Sequence, residues 1–426
     1  MPGRLLPDRS LSRRHILRGS AGITFAAILA ACGGNATTAP APAATARATT
    51  TDSASPTTPR TVTRVNTVAP ASTSVAGSAA AAMGPSATIP IASGAASPVV
   101  RPQEVTFTSG ADLIYGTLLL PITDQGKKLP AAVILAGSGP TDRDGNSKVI
   151  SGPVNTFRNF ADVLASQGIA SLRYDKLGSG KTGLASSTNP AAIGFDLFVA
   201  EAQAAYAFLR AQPEVDPRRM IFLGHSEGGL IALVVADQLK GSSDAPEALV
   251  LAAPPGFPYL ETIRQQFTDQ YTQAQQAGKA TKEQADNALM ELDRAIASLK
   301  QTGKVPADIT TPALKQVFNP TNEKFLAEAE MYDPRQIAAT LPPTLPVLVL
   351  HGTKDQQVGA ADVQNLMQGF QTAGNTKAIL VELPDVDHVF KEVPGTPNPA
   401  NDYGNPALHF SSEATARLAT FTKANV

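Results

Sequence analysis

Short, wholly apolar segments alternate with helical segments from about residue 104 onward, and this alternation is the feature that most limits how the chain can fold. Buried strands without polar alternation are typical of parallel sheets that are covered by helices on both faces. The segments that read as strands are 105–107, 113–120, 131–136, 169–174, 220–224, 249–253, 347–350 and 378–383. The helical segments between and after them are 154–166, 195–211, 228–239 and 413–422. The sequence therefore predicts an α/β fold with a mainly parallel central sheet, preceded by a hairpin.

The alternation stops between about residues 257 and 341, where the pattern is helical throughout. Thr281 and Gln284 have the spacing of a capping box, and apolar residues recur at helical spacing from 285 to 299. Further helices are predicted at 259–277 and 323–331. We expect a helical cap inserted between two strands, above the carboxyl ends of the sheet, where ligands bind in open α/β folds.

The N-terminus has the pattern of an export signal rather than of a folded element. Arg13 and Arg14 precede an apolar stretch, 19–31, that is too short to cross about 30 Å of hydrocarbon. The pattern resembles the twin-arginine export signal. The run that ends in Cys32 resembles a bacterial lipobox, which implies cleavage after residue 31 and lipidation of Cys32. Two or more acyl chains hold a protein stably on a membrane.

Residues 33–100 consist mainly of Ala, Thr, Pro and Ser, without aromatic residues. Such a segment buries too little apolar surface to fold. We therefore expect a signal peptide at 1–31, a lipidated Cys32 with a disordered tether to 100, and one folded domain at 101–426. The chain would be extracytoplasmic and attached to the bacterial membrane.

The overall composition excludes several classes of protein. A single cysteine excludes disulfides within the chain and Cys-rich metal sites. The 35 basic and 36 acidic residues are balanced, which argues against nucleic acid as a partner.

A candidate nucleophile lies in the run Gly224-His225-Ser226-Glu227-Gly228-Gly229, between a predicted strand and a predicted helix. In this context G-x-S-x-G forms a sharp turn that presents Ser226 at a helix N-terminus. Gly224 and Gly228 lack the Cβ atoms that would clash in such a turn.

A serine hydroxyl needs a neighbouring general base, and the chain offers five histidines. His15 belongs to the signal, His225 is expected to point away from the serine, and His351 reads as a core or edge residue. His388, directly after the last predicted strand, is the expected base. His409 is the competing candidate, although a capping or packing role suits it better.

The acid of a Ser–Asp–His arrangement should follow a strand and lie between the other two in the chain. Asp355 has this position and is expected to stay ionised and to orient His388. Asp362 competes, but it lies at the start of the next helix and is expected to serve that helix.

Stabilisation of a tetrahedral oxyanion requires N–H donors. One is expected to be the main-chain N–H of Glu227. The other should come from the loop after the third strand, where Ser138 is the first choice and Gly139 the second, because Pro140 has no N–H.

Together these runs, at 137–140, 173–178, 224–229, 352–358 and 387–388, resemble the α/β-hydrolase superfamily, and in particular its bacterial esterases and serine-peptidase-like members. The resemblance extends over about residues 104–423. It implies a helical cap after the sixth strand, and neither a metal nor an organic cofactor. The H-G-G-G run of lipases is replaced by Ala-Gly-Ser-Gly at 136–139, so the identity of the second oxyanion donor stays open.

Two other motifs suggest ligands but fit poorly. The run Gly178-Ser179-Gly180-Lys181-Thr182 ends like a phosphate-binding loop, yet it lacks the first glycine and the following helix. The acidic turn around Arg143 lacks the glutamate of a calcium loop. A role for Arg143 in holding a substrate carboxylate is the minor alternative to a polar turn.

The expected activity is hydrolysis of a small-molecule carboxylic ester through an acyl-enzyme on Ser226. Peptide hydrolysis of the aminopeptidase type and thioester hydrolysis use the same groups and stay open. A different class, a non-catalytic solute-binding lipoprotein, would not need a strained serine turn.

Overall fold

A computed structural model describes residues 100–122, 126–186 and 189–426. The predicted signal peptide, Cys32 and nearly all of the predicted tether lie outside these residues. The described chain contains one eight-stranded sheet. Its strands are β1 Val100–Ser109, β2 Asp112–Pro121, β3 Leu129–Leu135, β4 Ala170–Tyr174, β5 Val215–His225, β6 Ala248–Ala252, β7 Val347–Gly352 and β8 Ala378–Leu383.

The strands are ordered β1-β2-β4-β3-β5-β6-β7-β8 across the sheet. β1 pairs with β2 and β2 with β4 in antiparallel fashion, whereas all pairs from β4 to β8 are parallel. The predicted mainly parallel sheet with a preceding hairpin is thus confirmed. The carboxyl ends of β3, β5, β7 and β8 meet at one edge, which brings the loops after them together.

Helices cover both faces of the sheet. Their bounds are α1 Thr156–Ser166, α2 Phe195–Arg210, α3 Glu227–Leu239, α4 Tyr259–Gln276, α5 Lys282–Thr302, α6 Pro312–Val317, α7 Glu323–Ala329, α8 Pro334–Thr340, α9 Ala360–Thr372, α10 Pro399–Asp402 and α11 Ser412–Asn425. Val133 of β3 packs in one core with α2, α3 and α9, and its neighbour Ile134 packs in a second core with α1 and α11. Adjacent strand residues point to opposite faces, so both must be apolar.

Five helices, α4 to α8, lie between β6 and β7. The predicted capping box is present: the Thr281 hydroxyl accepts from the N–H of Gln284, whose side chain accepts from the N–H of Thr281. Ile263 and Phe267 of α4 and Leu292 of α5 are buried in the larger core. This helical segment therefore packs onto the sheet domain. Within the described ranges, no helix is both long and apolar enough to cross a membrane.

The first strand begins earlier than the sequence pattern predicts. Val100 pairs with Pro121, five residues before the start of the strand predicted at 105–107. The additional residues are largely exposed and include Pro102. An edge strand tolerates proline and polar side chains, so its apolar pattern is weak.

Candidate active site

Ser226 lies between the end of β5 and the start of α3, with φ +55° and ψ −125°. A non-glycine residue rarely adopts this conformation, and it persists only where the surrounding structure enforces it. The close packing is visible at two glycines: a Cβ on Gly224 would overlap the main-chain oxygen of Gly228, and a Cβ on Gly228 that of Leu135. Both positions of the G-x-S-x-G run therefore require glycine.

Ser226 and His388 line one pocket of about 60 Å³. The pocket walls are mainly neutral. The other lining residues are Gly137, Ser138, Thr141, Gly145, Ser147, Ile150, Val154, Thr156, Phe157, His225, Gln357, Val389 and Tyr403.

Asp355 follows β7 and His388 follows β8, and their side chains are hydrogen-bonded. The Nδ1 of His388 lies 2.7 Å from Oδ2 of Asp355. Since a carboxylate can only accept, Nδ1 carries the proton and Nε2 is the free basic nitrogen of the neutral ring. Burial raises the pKa of Asp355, but electrostatic attraction to His388, the hydrogen bond with His388 and the N–H groups of Val358 and Gln357 outweigh burial and lower the pKa below its usual value. The carboxylate therefore stays ionised beside the imidazole.

His225 does not point away from the site, contrary to expectation. Its ring centroid lies 4.8 Å from that of His388, and its Nε2 lies 2.8 Å from the main-chain oxygen of His388. Burial, reinforced by the nearby His388, lowers the pKa of His225 to about 3. His225 is thus a neutral donor that supports the backbone of the His388 loop.

The loop after β3 lies directly against the serine. A Cβ on Gly137 would be 3.0 Å from the Cβ of Ser226. Within the described part of the chain, the main-chain N–H groups of Ser138, Gly139 and Glu227 donate to no other group. Ser138 lines the pocket of Ser226, whereas Gly139 lines a different cavity. This arrangement favours Ser138 over Gly139 as a donor to a group bound at Ser226.

The competing candidates lie elsewhere. His351 is buried, with Nε2 3.0 Å from the main-chain oxygen of Val358, and His409 is exposed. Asp362 accepts from the N–H groups of Gly256 (3.0 Å) and Gly359 (3.3 Å), and burial raises its pKa to about 6. None of the three lines the pocket of Ser226.

The two ligand-like motifs bind each other through Asp175. Arg143 donates to Asp175 through its main chain and its guanidinium, and Lys181 donates through its N–H at 2.8 Å. The glycine-rich loop thus donates a main-chain N–H to a carboxylate of the same chain. Arg143 is buried in this network, which favours the polar turn over a role in holding a substrate carboxylate.

Several contacts around the site were not predicted, because they join side chains distant in the chain. Lys176 and Glu227 form a buried ion pair at 3.4 Å, and the Tyr259 hydroxyl donates to Glu227 at 2.9 Å. Gln357 donates to the Tyr403 hydroxyl at 2.7 Å at the pocket wall. The run 173–178, which contains Lys176, is recognisable in the sequence, but the residues that contact Lys176 are not. Among the described residues, no group of three or more His, Cys, Asp or Glu side chains is arranged to hold a metal ion.

Comparisons with known proteins found similar solved structures. Solved structures similar to the chain include the Pyrococcus furiosus esterase Pf2001 (16% identity, 76% of this chain and 91% of that chain, TM-score 0.47). Est1E from Butyrivibrio proteoclasticus is 16% identical over 76% of this chain and 98% of that chain, with a TM-score of 0.45. A putative hydrolase from Agrobacterium vitis S4 is 19% identical over 77% of this chain and 99% of that chain, with a TM-score of 0.44. No curated protein matches the chain.

The family model described as serine aminopeptidase, S33 (Hydrolase_4), matches residues 152–384. The matched region contains Ser226 and Asp355 and ends four residues before His388. Because it spans more than half of the 426 residues, the chain belongs to this family of α/β hydrolases.

Proposed function

We propose that the protein is a serine esterase in which Ser226, His388 and Asp355 act as a catalytic triad. One observation carries the proposal: the His388 ring, hydrogen-bonded to Asp355, lines the same pocket as the strained Ser226. Nδ1 of His388 is occupied by the carboxylate, which leaves Nε2 to accept a proton from the serine hydroxyl. Ser226 would then attack an acyl carbonyl.

The reaction proceeds in two halves. His388 takes the serine proton as the tetrahedral intermediate forms and gives it to the leaving alcohol, which produces an acyl-enzyme on Ser226. A water molecule that loses its proton to His388 then releases the acid. In both halves the free N–H groups of Glu227 and Ser138 are proposed to stabilise the oxyanion, each worth roughly 3 kcal/mol of barrier.

The pocket favours a neutral ester over the N-terminus of a peptide. An aminopeptidase must recognise a charged α-ammonium group, for which a free carboxylate is the strong partner. None of the described residues that line the pocket is Asp or Glu. The nearby carboxylate of Glu227 is already bonded to Lys176 and Tyr259. The volume of the Ser226 pocket, about 60 Å³, favours a short acyl group.

The family description nevertheless makes aminopeptidase activity the second candidate. A panel of p-nitrophenyl esters of increasing acyl length, assayed beside aminoacyl p-nitroanilides, distinguishes the two. We expect kcat/KM to be highest for acetyl to butyryl esters and activity on the anilides to be at least about 100-fold lower. Higher kcat/KM on the anilides would replace the ester proposal by the peptidase one. Ser226→Ala should be inactive on both classes.

We also propose that the enzyme is exported by the twin-arginine route and held on the outer side of a bacterial membrane by lipid on Cys32. The support is sequence alone: the arginine pair at 13–14, the apolar stretch and the position of the single cysteine. The tether of nearly 70 residues would have an r.m.s. reach of about 45 Å as a flexible coil.

A further inference from the structure

A buried charged pair lies beneath the loop that follows β3. Lys176 is 6% exposed and Glu227 is 2% exposed. Replacing such a pair with apolar residues often leaves a protein equally stable or more stable. The reason is that the free energy lost by removing two charges from water can equal or exceed the free energy gained from their attraction. Stability alone is therefore a weak reason for a lysine at this position.

The Lys176 ammonium makes a specific contact with that loop. Its Nζ donates to the main-chain oxygen of Gly137 at 2.6 Å, and it lies 3.4 Å from a carboxylate oxygen of Glu227. The ring of Phe198 forms a third side, with its centroid 4.9 Å from Nζ. The other carboxylate oxygen of Glu227 accepts from Tyr259. The ammonium is thus held in place by three groups, and one of them is the Gly137 carbonyl.

The Gly137 carbonyl and the Ser138 N–H belong to the same peptide group. Such a group is planar and trans, so its C=O and N–H point in opposite directions. Lys176 lines a small cavity that neither Ser138 nor Ser226 lines, whereas Ser138 and Ser226 line one pocket together. A bond that holds the carbonyl toward Lys176 therefore turns the Ser138 N–H away from Lys176, and Ser138 lines the pocket of Ser226.

We propose that Lys176 is a positioning residue, which holds the Gly137 carbonyl and thereby aims the Ser138 N–H at the oxyanion. The inference rests on the proposed acyl transfer at Ser226 and adds a residue to it. The ammonium also polarises the peptide group, which strengthens the N–H as a donor. Glu227 takes part twice: its main-chain N–H is the other proposed donor, and its carboxylate holds the lysine.

The test compares ligands that do and do not form an oxyanion. An alkyl trifluoromethyl ketone forms a tetrahedral adduct with a catalytic serine, whereas the matching methyl ketone does not. In Lys176→Met we expect kcat on a p-nitrophenyl ester to fall about 100-fold, the range seen when one oxyanion donor is lost. The affinity for the trifluoromethyl ketone should fall by a similar factor. KM and the affinity for the methyl ketone should change less than about threefold.

The control is Glu201→Gln, a buried carboxyl that accepts from the N–H of Leu177 and does not contact Gly137. Burial raises the pKa of Glu201 to about 8, so the uncharged glutamine resembles its state near neutral pH. This variant should keep kcat and both ketone affinities within about threefold of wild type. A general disturbance of the buried residues around position 176 would impair both variants alike.

A second variant guards against misfolding caused by an unbalanced buried charge. Lys176→Met alone leaves the Glu227 carboxylate buried and unpaired, so Lys176→Met/Glu227→Gln is made as well, which removes both charges together. Either variant, if folded, overturns the proposal when trifluoromethyl ketone affinity stays within threefold of wild type. If both fail to fold, Lys176→Arg decides: retained ketone affinity supports the proposal, and a 100-fold loss in a folded protein overturns it. Failure of the proposed function itself would appear as inactivity of the wild-type enzyme.

Discussion

Asp387 precedes His388, and its carboxyl group is buried with one of its two oxygens lacking a hydrogen-bond partner among the described residues. The other oxygen accepts from the N–H groups of Val389 (3.0 Å) and Lys391 (2.8 Å). Burial raises the pKa of Asp387 to about 6. The folded protein therefore holds a proton on this residue at pH values where the unfolded chain has lost it.

This difference predicts a pH-dependent stability. Between about pH 4 and pH 6 the folded state binds more protons than the unfolded state, so the Asp387 contribution to the free energy of unfolding decreases as the pH rises. Asp387→Asn removes this titration. Relative to wild type, the variant should gain up to about 2 kcal/mol between pH 4.5 and pH 7.5. Urea unfolding at the two pH values measures the change.

Asp385→Asn is the matched control for this measurement. Asp385 is exposed, and its φ of +58° suits asparagine as well as aspartate. The free energy of unfolding of Asp385→Asn, relative to that of wild type, should change little between the two pH values. An Asp387→Asn curve parallel to that of wild type would contradict the buried, protonated aspartic acid.

Some residues of the site can be predicted from the sequence, and others cannot. Chain order and strand ends suffice to select Ser226, Asp355 and His388 as candidates, and the structure joins the last two by a hydrogen bond. The direction of the His225 side chain and the contact of Lys176 with Gly137 are not predictable in this way. They depend on side-chain packing between segments that are far apart in the chain.

Among the helices and strands, those that bury a continuous apolar surface are the predictable ones. β5, β6 and β7 lie in the middle of the sheet, and their apolar runs mark them in the sequence. Pro312 and Pro334 start α6 and α8, which have only six and seven residues and were not predicted. Helices this short contain at most two turns, so their apolar periodicity is weak, although α7, which also has seven residues, was predicted at 323–331.

The turn at Ser226 shows how elements impose a local conformation. The start of α3 packs so closely on the end of β3 that Gly228 has no space for a Cβ. The strained φ of Ser226 follows from this close approach and from a hydrogen bond. In that bond the N–H of Ser226 donates to the main-chain oxygen of Ala252 in β6 at 2.8 Å. The motif in the sequence predicts the turn because only glycines allow these elements to approach.

The chain as a whole combines the described hydrolase domain with an N-terminal region whose proposed roles are export and attachment. Cys32→Ser should move the protein from the membrane fraction to the soluble extracytoplasmic fraction when it is expressed in a bacterium that processes lipoproteins. The physical reason is that the acyl chains on Cys32 would supply the membrane affinity. Thr37→Ser, a conservative change a few residues later, should leave partitioning unchanged. Equal partitioning of Cys32→Ser and wild type would refute lipid attachment at this residue.

Covalent labelling shows whether Ser226 is a nucleophile that His388 activates. The protein is reacted with a fluorophosphonate, and the adduct is located by peptide mass spectrometry. We predict one adduct, on Ser226, no labelling of Ser226→Ala, labelling at least about 100-fold slower in His388→Ala, and a wild-type rate in His409→Ala. Labelling that persists in folded Ser226→Ala would mean that another residue is the nucleophile, and a wild-type rate in His388→Ala would mean that another group is the base.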